Sequence, residues 1–107
     1  MIALARSLPG GVTLDDPALF RSFAHVGNRW TAGATRQEIA VTDPATGEAI
    51  GAVAKLTGKD SASAVDTAHA AFPAWAATLP QERARLLRRW YELIVASRED
   101  LARIMTA

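Results

Sequence analysis

Glu38-Ile39-Ala40-Val41-Thr42-Asp43-Pro44-Ala45-Thr46-Gly47-Glu48-Ala49-Ile50-Gly51-Ala52-Val53 is the stretch on which the fold turns. Ile39 and Val41 alternate with polar or small neighbours, which places them on one face of a strand. Asp43 can accept from the backbone two residues on, Pro44 presets its own φ, and Gly47 tolerates a positive φ. The five residues Asp43 to Gly47 therefore predict a hairpin loop, and Glu48 to Lys55 the return strand. Ile50 and Val53 are three apart rather than two, so the alternation slips, and Gly51 is the expected place of a bulge.

Upstream, Ala24-His25-Val26-Gly27-Asn28-Arg29-Trp30 reads as two short arms joined by a Gly-Asn turn. Thr31 to Thr35 is small and polar, a loop. Residues 1 to 17 carry turn residues and no period, so they read as an N-terminal extension. Met1 to Leu8 has a faint leader character, but Arg6 interrupts its apolar run and Pro9-Gly10-Gly11 ends it early.

Downstream of Gly58 the period becomes helical. Val65, Ala68, Phe72, Trp75, Ala76 and Leu79 follow the i, i+3, i+4, i+7 spacing of one apolar stripe. Pro73 falls inside that stripe and predicts a kink or a restart near Phe72. Pro80 suits the first position of a second helix and Glu82 complements its dipole. Leu87, Trp90, Tyr91 and Ile94 form the second stripe, widened by Leu86 and Leu93. Ser97-Arg98-Glu99-Asp100 has the pattern of a capping box opening a third helix, with Leu101, Ile104 and Met105 facing inward. No stop signal closes that helix before Ala107, so the pattern is expected to continue in a longer chain. The fold class is thus α/β, α+β within these 107 residues: a β-hairpin layer followed by three helices.

Composition narrows the function. Half of the residues are apolar and the formal net charge is +1, which gives no broad field for nucleic acid or an anionic membrane. No apolar run reaches the ~20 residues of a membrane helix. There is no cysteine, so disulfides, thiolate metal sites and a cysteine nucleophile within this chain are excluded. That composition fits a reducing compartment, and a cytoplasmic location is expected.

No residue type assembles into a recognisable site. His25 and His69 lie far apart without the further ligands that a metal needs. Arg83, Arg85, Arg88 and Arg89 make a basic run, but Glu82, Glu92, Glu99 and Asp100 are interleaved or close behind. Arg88–Glu92 and Glu99–Arg103 stand four apart, so a solvated, ion-paired helix face is expected. Trp75, Trp90 and Tyr91 at helical spacing beside leucines read as packing residues. No GxGxxG, GxxxxGK[ST] or HExxH pattern occurs. Catalytic, cofactor-binding and metal-binding residues are therefore all expected to be absent from this stretch.

Leu86-Leu87-Arg88-Arg89-Trp90-Tyr91-Glu92-Leu93, followed by Asp100-Leu101-Ala102-Arg103-Ile104-Met105-Thr106, resembles the N-terminal helices of succinate-semialdehyde dehydrogenases in the aldehyde dehydrogenase superfamily. Val26-Gly27-Asn28-Arg29-Trp30, Val41 to Gly47, Ala71-Phe72-Pro73-Ala74-Trp75 and Glu82-Arg83 are similar to the wider family. Leu19-Phe20-Arg21 matches the semialdehyde branch. The resemblance runs from about Leu14 to Ala107. It implies a much longer homo-oligomeric enzyme, in which residues 18–107 begin a Rossmann-like NAD- or NADP-binding domain. It also implies a cysteine thiolate that attacks a small semialdehyde, hydride transfer to the nicotinamide, and hydrolysis of the thioester by a glutamate base. Those catalytic residues lie beyond Ala107 in the family, so the 107-residue chain alone is expected to be inactive and to bind no cofactor. Glutarate-semialdehyde dehydrogenase is the neighbouring alternative, and a non-catalytic helical interaction module the alternative of another class.

Overall fold

The computed structural model describes Ser7, Leu8 and residues 12–107. The leader-like reading of Met1 to Leu8 falls almost wholly outside the described residues. Among the described residues six short strands form three separate antiparallel pairs, and three helices follow. The strands are β1 (Ser7–Leu8), β2 (Val12–Thr13), β3 (Ala24–Val26), β4 (Arg29–Thr31), β5 (Glu38–Thr42) and β6 (Ala49–Ala54). The helices are α1 (Gly58–Ala77), α2 (Pro80–Ala96) and α3 (Arg98–Thr106).

Both expected hairpins form. Val26 and Arg29 pair across a two-residue loop, in which Gly27 and Asn28 both take positive φ (56° and 64°). Two successive positive φ values define the tight turn whose twist matches that of the strands. In the loop between β5 and β6, Asp43 Oδ1 accepts from the Ala45 amide at 2.8 Å and Gly47 sits at φ 75°. The register shifts where Val41 pairs with Gly51 and Thr42 with Ala49, which leaves Ile50 as the extra residue. The bulge is therefore at Ile50, next to the glycine that signalled it. A Cβ on Gly51 would stand 3.2 Å from the Phe20 ring, so the glycine makes room for that ring.

Three helical details depart from the sequence reading. α1 runs through Pro73 to Ala77 as one assigned helix, with no restart at Phe72. Pro73 lies in the last turns of α1, where the single bond it removes leaves the flanking turns intact. The capping box forms at Thr57 and Asp60 instead of Ser97 and Asp100. The Asp60 amide donates to Thr57 Oγ1 at 3.2 Å, and the Thr57 amide to Asp60 Oδ2 at 2.8 Å. Ser97 makes no side-chain cap, because it closes α2 as well as opening α3 and sits at φ −102°, ψ 9°. A capping side chain needs extended backbone, the conformation Thr57 has at φ −90°, ψ 167°. Met105 is 80% exposed rather than inward-facing.

The N-terminal stretch also holds more structure than an irregular extension. β1 pairs with β2, a 3-10 turn spans Pro17–Leu19, and Leu8 and Leu14 are each only 2% exposed. No other apolar side chain among the described residues is buried. The helix stripes stand open instead: Val65, Phe72, Leu79, Leu86, Leu87, Trp90 and Tyr91 are all more than half exposed. The chain exposes 8244 Å², where a compact monomer of its mass would expose about 5800 Å². Its radius of gyration is 16.8 Å, against about 13 Å for a compact domain of this length.

Candidate functional site

Three polar nodes and one apolar face are what these elements build. The first node joins the two ends of the chain. Asp100, in the first turn of α3, is 4% exposed. Its Oδ1 accepts from the Asp15 amide at 2.9 Å and from Arg103 Nη1 at 2.9 Å, and its Oδ2 accepts from the Asp16 amide at 2.7 Å. Arg103 also lies 3.5 Å from Asp15 Oδ1. The two backbone amides of Asp16 and Asp15, together with Arg103, hold the Asp100 carboxyl below its ordinary range. The same contacts, Asp100 first, push Arg103 up.

The second node is Asp60. Besides capping α1, its Oδ1 accepts from the Ala34 amide at 3.2 Å and so draws the loop after β4 onto the helix start. The hydrogen bonds from Thr57, then that from Ala34, lower its carboxyl. Gly33 allows the approach: it sits at φ 79°, and a Cβ there would meet Leu56 Cδ2 at 2.7 Å.

The third node is Arg83. Its guanidinium donates to the carbonyls of Thr78 and Ala76, at the end of α1. Within the basic run, then, Arg83 is a clamp between two helices. Arg88 pairs with Glu92 as the spacing predicts, and Arg85 pairs with Glu82 three residues before it. The expected Glu99–Arg103 pair does not form: Arg103 goes to Asp100 and Glu99 to Arg98.

None of these nodes leaves a reactive group free. His25 packs on Trp30 across the β3–β4 hairpin with ring centroids 4.9 Å apart, and the Arg21 guanidinium covers Trp30 at 4.5 Å. Among the described residues no three histidine or carboxylate side chains converge. A dinucleotide pyrophosphate needs free backbone amides at a helix start without competing negative charge. The Asp60 carboxylate already occupies the start of α1, α2 opens with Pro80 and Glu82, and α3 opens with Glu99 and Asp100. The three helix starts therefore offer a pyrophosphate no set of free, unopposed amides.

The remaining feature is the open apolar surface of α1 and α2. A smaller apolar cavity of about 290 Å³ lies where Leu19 and Phe20, Ile50 and Gly51, and Ile104 of α3 meet. Among the described residues, then, three strand pairs and three helices leave the apolar faces of α1 and α2 uncovered.

The chain belongs to the aldehyde dehydrogenase family, which residues 30–107 match. It is 50% identical over 93 residues to the non-phosphorylating aspartate-semialdehyde dehydrogenase of Halomonas elongata, covering 87% of this chain and 19% of that protein. It is 44% identical to the glutarate-semialdehyde dehydrogenase of Pseudomonas putida, with the same coverage. Among solved structures, it superposes on succinate-semialdehyde dehydrogenase from Burkholderia pseudomallei with a TM-score of 0.84 at 41% identity, over 87% of this chain and 19% of that one. The chain thus spans about a fifth of the length of the relatives it matches. Their enzyme class is the oxidoreductases. No helix among the described residues is long and apolar enough to cross a membrane.

The sequence pattern found two of the three strand pairs described, the helices and the family. It missed the Asp100, Asp60 and Arg83 nodes. Thr57-Gly58-Lys59-Asp60 was the one legible signal, since a threonine three residues before an acid at a helix start is a capping pattern.

Proposed function

We propose that the chain forms the N-terminal segment of an NAD(P)-dependent semialdehyde dehydrogenase. In this reading residues 18–107 begin the cofactor-binding domain, residues 1–17 are an extension whose Asp15 and Asp16 bond α3, and the rest of the enzyme covers the open faces of α1 and α2. One observation carries the substrate class: relatives 40–50% identical over 87% of this chain are named for aspartate, glutarate or succinate semialdehyde. Each of these substrates joins an aldehyde to a carboxylate. We assign succinate semialdehyde as the substrate, oxidised to succinate, with glutarate semialdehyde as the alternative. The complete enzyme is a cytoplasmic homo-oligomer in this reading, and this segment supplies framework rather than reacting groups.

The test is kinetic, on an enzyme that carries this segment. A pocket that ion-pairs a carboxylate rejects aldehydes lacking one. We expect kcat/KM with NAD or NADP to favour succinate semialdehyde over propanal or benzaldehyde by roughly a hundredfold or more. Equal or better turnover of the uncharged aldehydes would overturn the assignment.

A further inference from the structure

We infer that Asp100 is the latch of a short strap, Val12–Asp16, that opens from α3 while the hairpins and helices stay folded. The strap is held to α3 by few polar contacts. Leu14 is its one fully buried side chain, and its polar anchors on α3 are the two Asp100 bonds and the long Arg103–Asp15 pair. Its outer neighbours, Ser7 and Leu8, pair with Thr13 and Val12 and, among the described residues, with no other strand.

A natural breaking point follows Asp16. Pro17 has no amide to donate. The turn it opens is satisfied locally, because Asp16 Oδ1 accepts from the Ala18 amide at 3.0 Å and Pro17 O accepts from the Phe20 amide. Beyond the turn the chain is fastened elsewhere: the Phe20 ring lies against Gly51, and Ser22 O accepts from the Ala54 amide at 2.8 Å. Opening the strap therefore breaks the Asp100 contacts and the Ala18–Asp16 bond and uncovers Leu14 and its strand neighbour Leu8, but it costs no bond of the β5–β6 hairpin or of α1. Local openings of this kind are governed by the few contacts they break.

Asp100 suits the role because it is released from capping its own helix. α2 runs into α3 with Ser97 as the only break, and both Asp100 oxygens turn toward the strap. A carboxylate offers an acceptor to each amide, whereas an asparagine offers one oxygen and one donor group.

Amide hydrogen exchange on the intact protein, read at the Asp15 and Asp16 amides and at the β5–β6 amides, tests this. In the unaltered protein both strap amides should be protected, yet exchange faster than those of β5–β6. Asp100→Ala should speed both by roughly ten- to a hundredfold with the β5–β6 amides unchanged. Asp100→Asn should release one and keep the other. Absence of protection in the unaltered protein, or protection kept in both variants, overturns the latch. If Asp100→Ala also strips protection from β5–β6, Asp100→Asn decides: loss at one strap amide with β5–β6 unchanged supports the latch, and any other pattern refutes it.

Discussion

Replacing Leu87, Trp90 and Ile94 together by glutamine tests whether the open face of α2 is made to be covered. Glutamine keeps the helix propensity of the site and removes the apolar surface. The three side chains are 54%, 63% and 44% exposed, so about half of each remains to be buried against a partner. Full burial of a large apolar side chain is worth ~1.5–3 kcal/mol. Half of that, over three residues, gives ~2–4.5 kcal/mol, or roughly one and a half to three orders of magnitude in an association constant. The isolated 107-residue chain should accordingly self-associate through these faces, bind a hydrophobic dye and melt without a sharp transition. The triple variant should shift sedimentation-equilibrium profiles toward monomer at concentrations where the unaltered chain is oligomeric, and its dye binding should fall. An unaltered chain that is monomeric, dye-free and melts in one sharp step would refute the reasoning, because its apolar stripes would then need no cover. It would favour a free-standing helical module.

Further expectations concern the chain's own contacts and its chemistry. Leu14→Ala empties a fully buried position and should lower the stability of the enzyme carrying this segment by about 2–5 kcal/mol, read as a lower urea midpoint. Gly33→Ala forces an L side chain to φ 79° against Leu56; the conformation alone costs ~1–2 kcal/mol, and the melting temperature should drop accordingly. Asp100 and Asp60 both have carboxyls lowered by hydrogen bonds in the folded state. Their contribution is therefore present above the usual carboxylate range and lost as pH falls through the depressed folded values. Stability measured from pH 6 downward should decline on acidification, and Asp100→Asn should flatten that decline; an unchanged slope would contradict the assignment. The purified chain should not reduce NAD or NADP in the presence of succinate semialdehyde, since a chain without cysteine has no thiolate to attack the aldehyde. Cofactor reduction above a host-enzyme control would contradict this.

Local chemistry was legible in the sequence, and distant partnership was not. Gly27-Asn28, Asp43 to Gly47 and Pro80 act through neighbours within a few residues, and each forms the turn or helix start that its type dictates. Asp100 carries the same kind of local signal as Asp60, a hydroxyl residue three positions before an acid, yet only Asp60 caps its helix. The difference is that Thr57 enters from a loop in extended conformation, while Ser97 is held between two helices. Asp100 instead meets amides 84 and 85 residues away, a contact that no spacing rule reaches. The apolar stripes fell on their helices except for Leu79, which lies past the end of α1 as the residue before α2, but periodicity says which face is apolar and not what covers it. Among the described residues that cover is missing, and the stripes stay exposed.

The junction at Ser97 has a consequence for which sequence lengths this segment can tolerate. A helix turns by about 100° per residue, and a single residue separates α2 from α3. Adding or removing one residue between Ser97 and Asp100 would swing the Asp100 carboxylate a quarter turn or more around the axis of α3, away from Asp15 and Asp16. Substitutions at Arg98 and Glu99, whose side chains are mostly exposed and pair only with each other, would leave its direction unchanged. The spacing between the two helices therefore acts as an angular setting: the composition of this corner is free to drift, and its length is not.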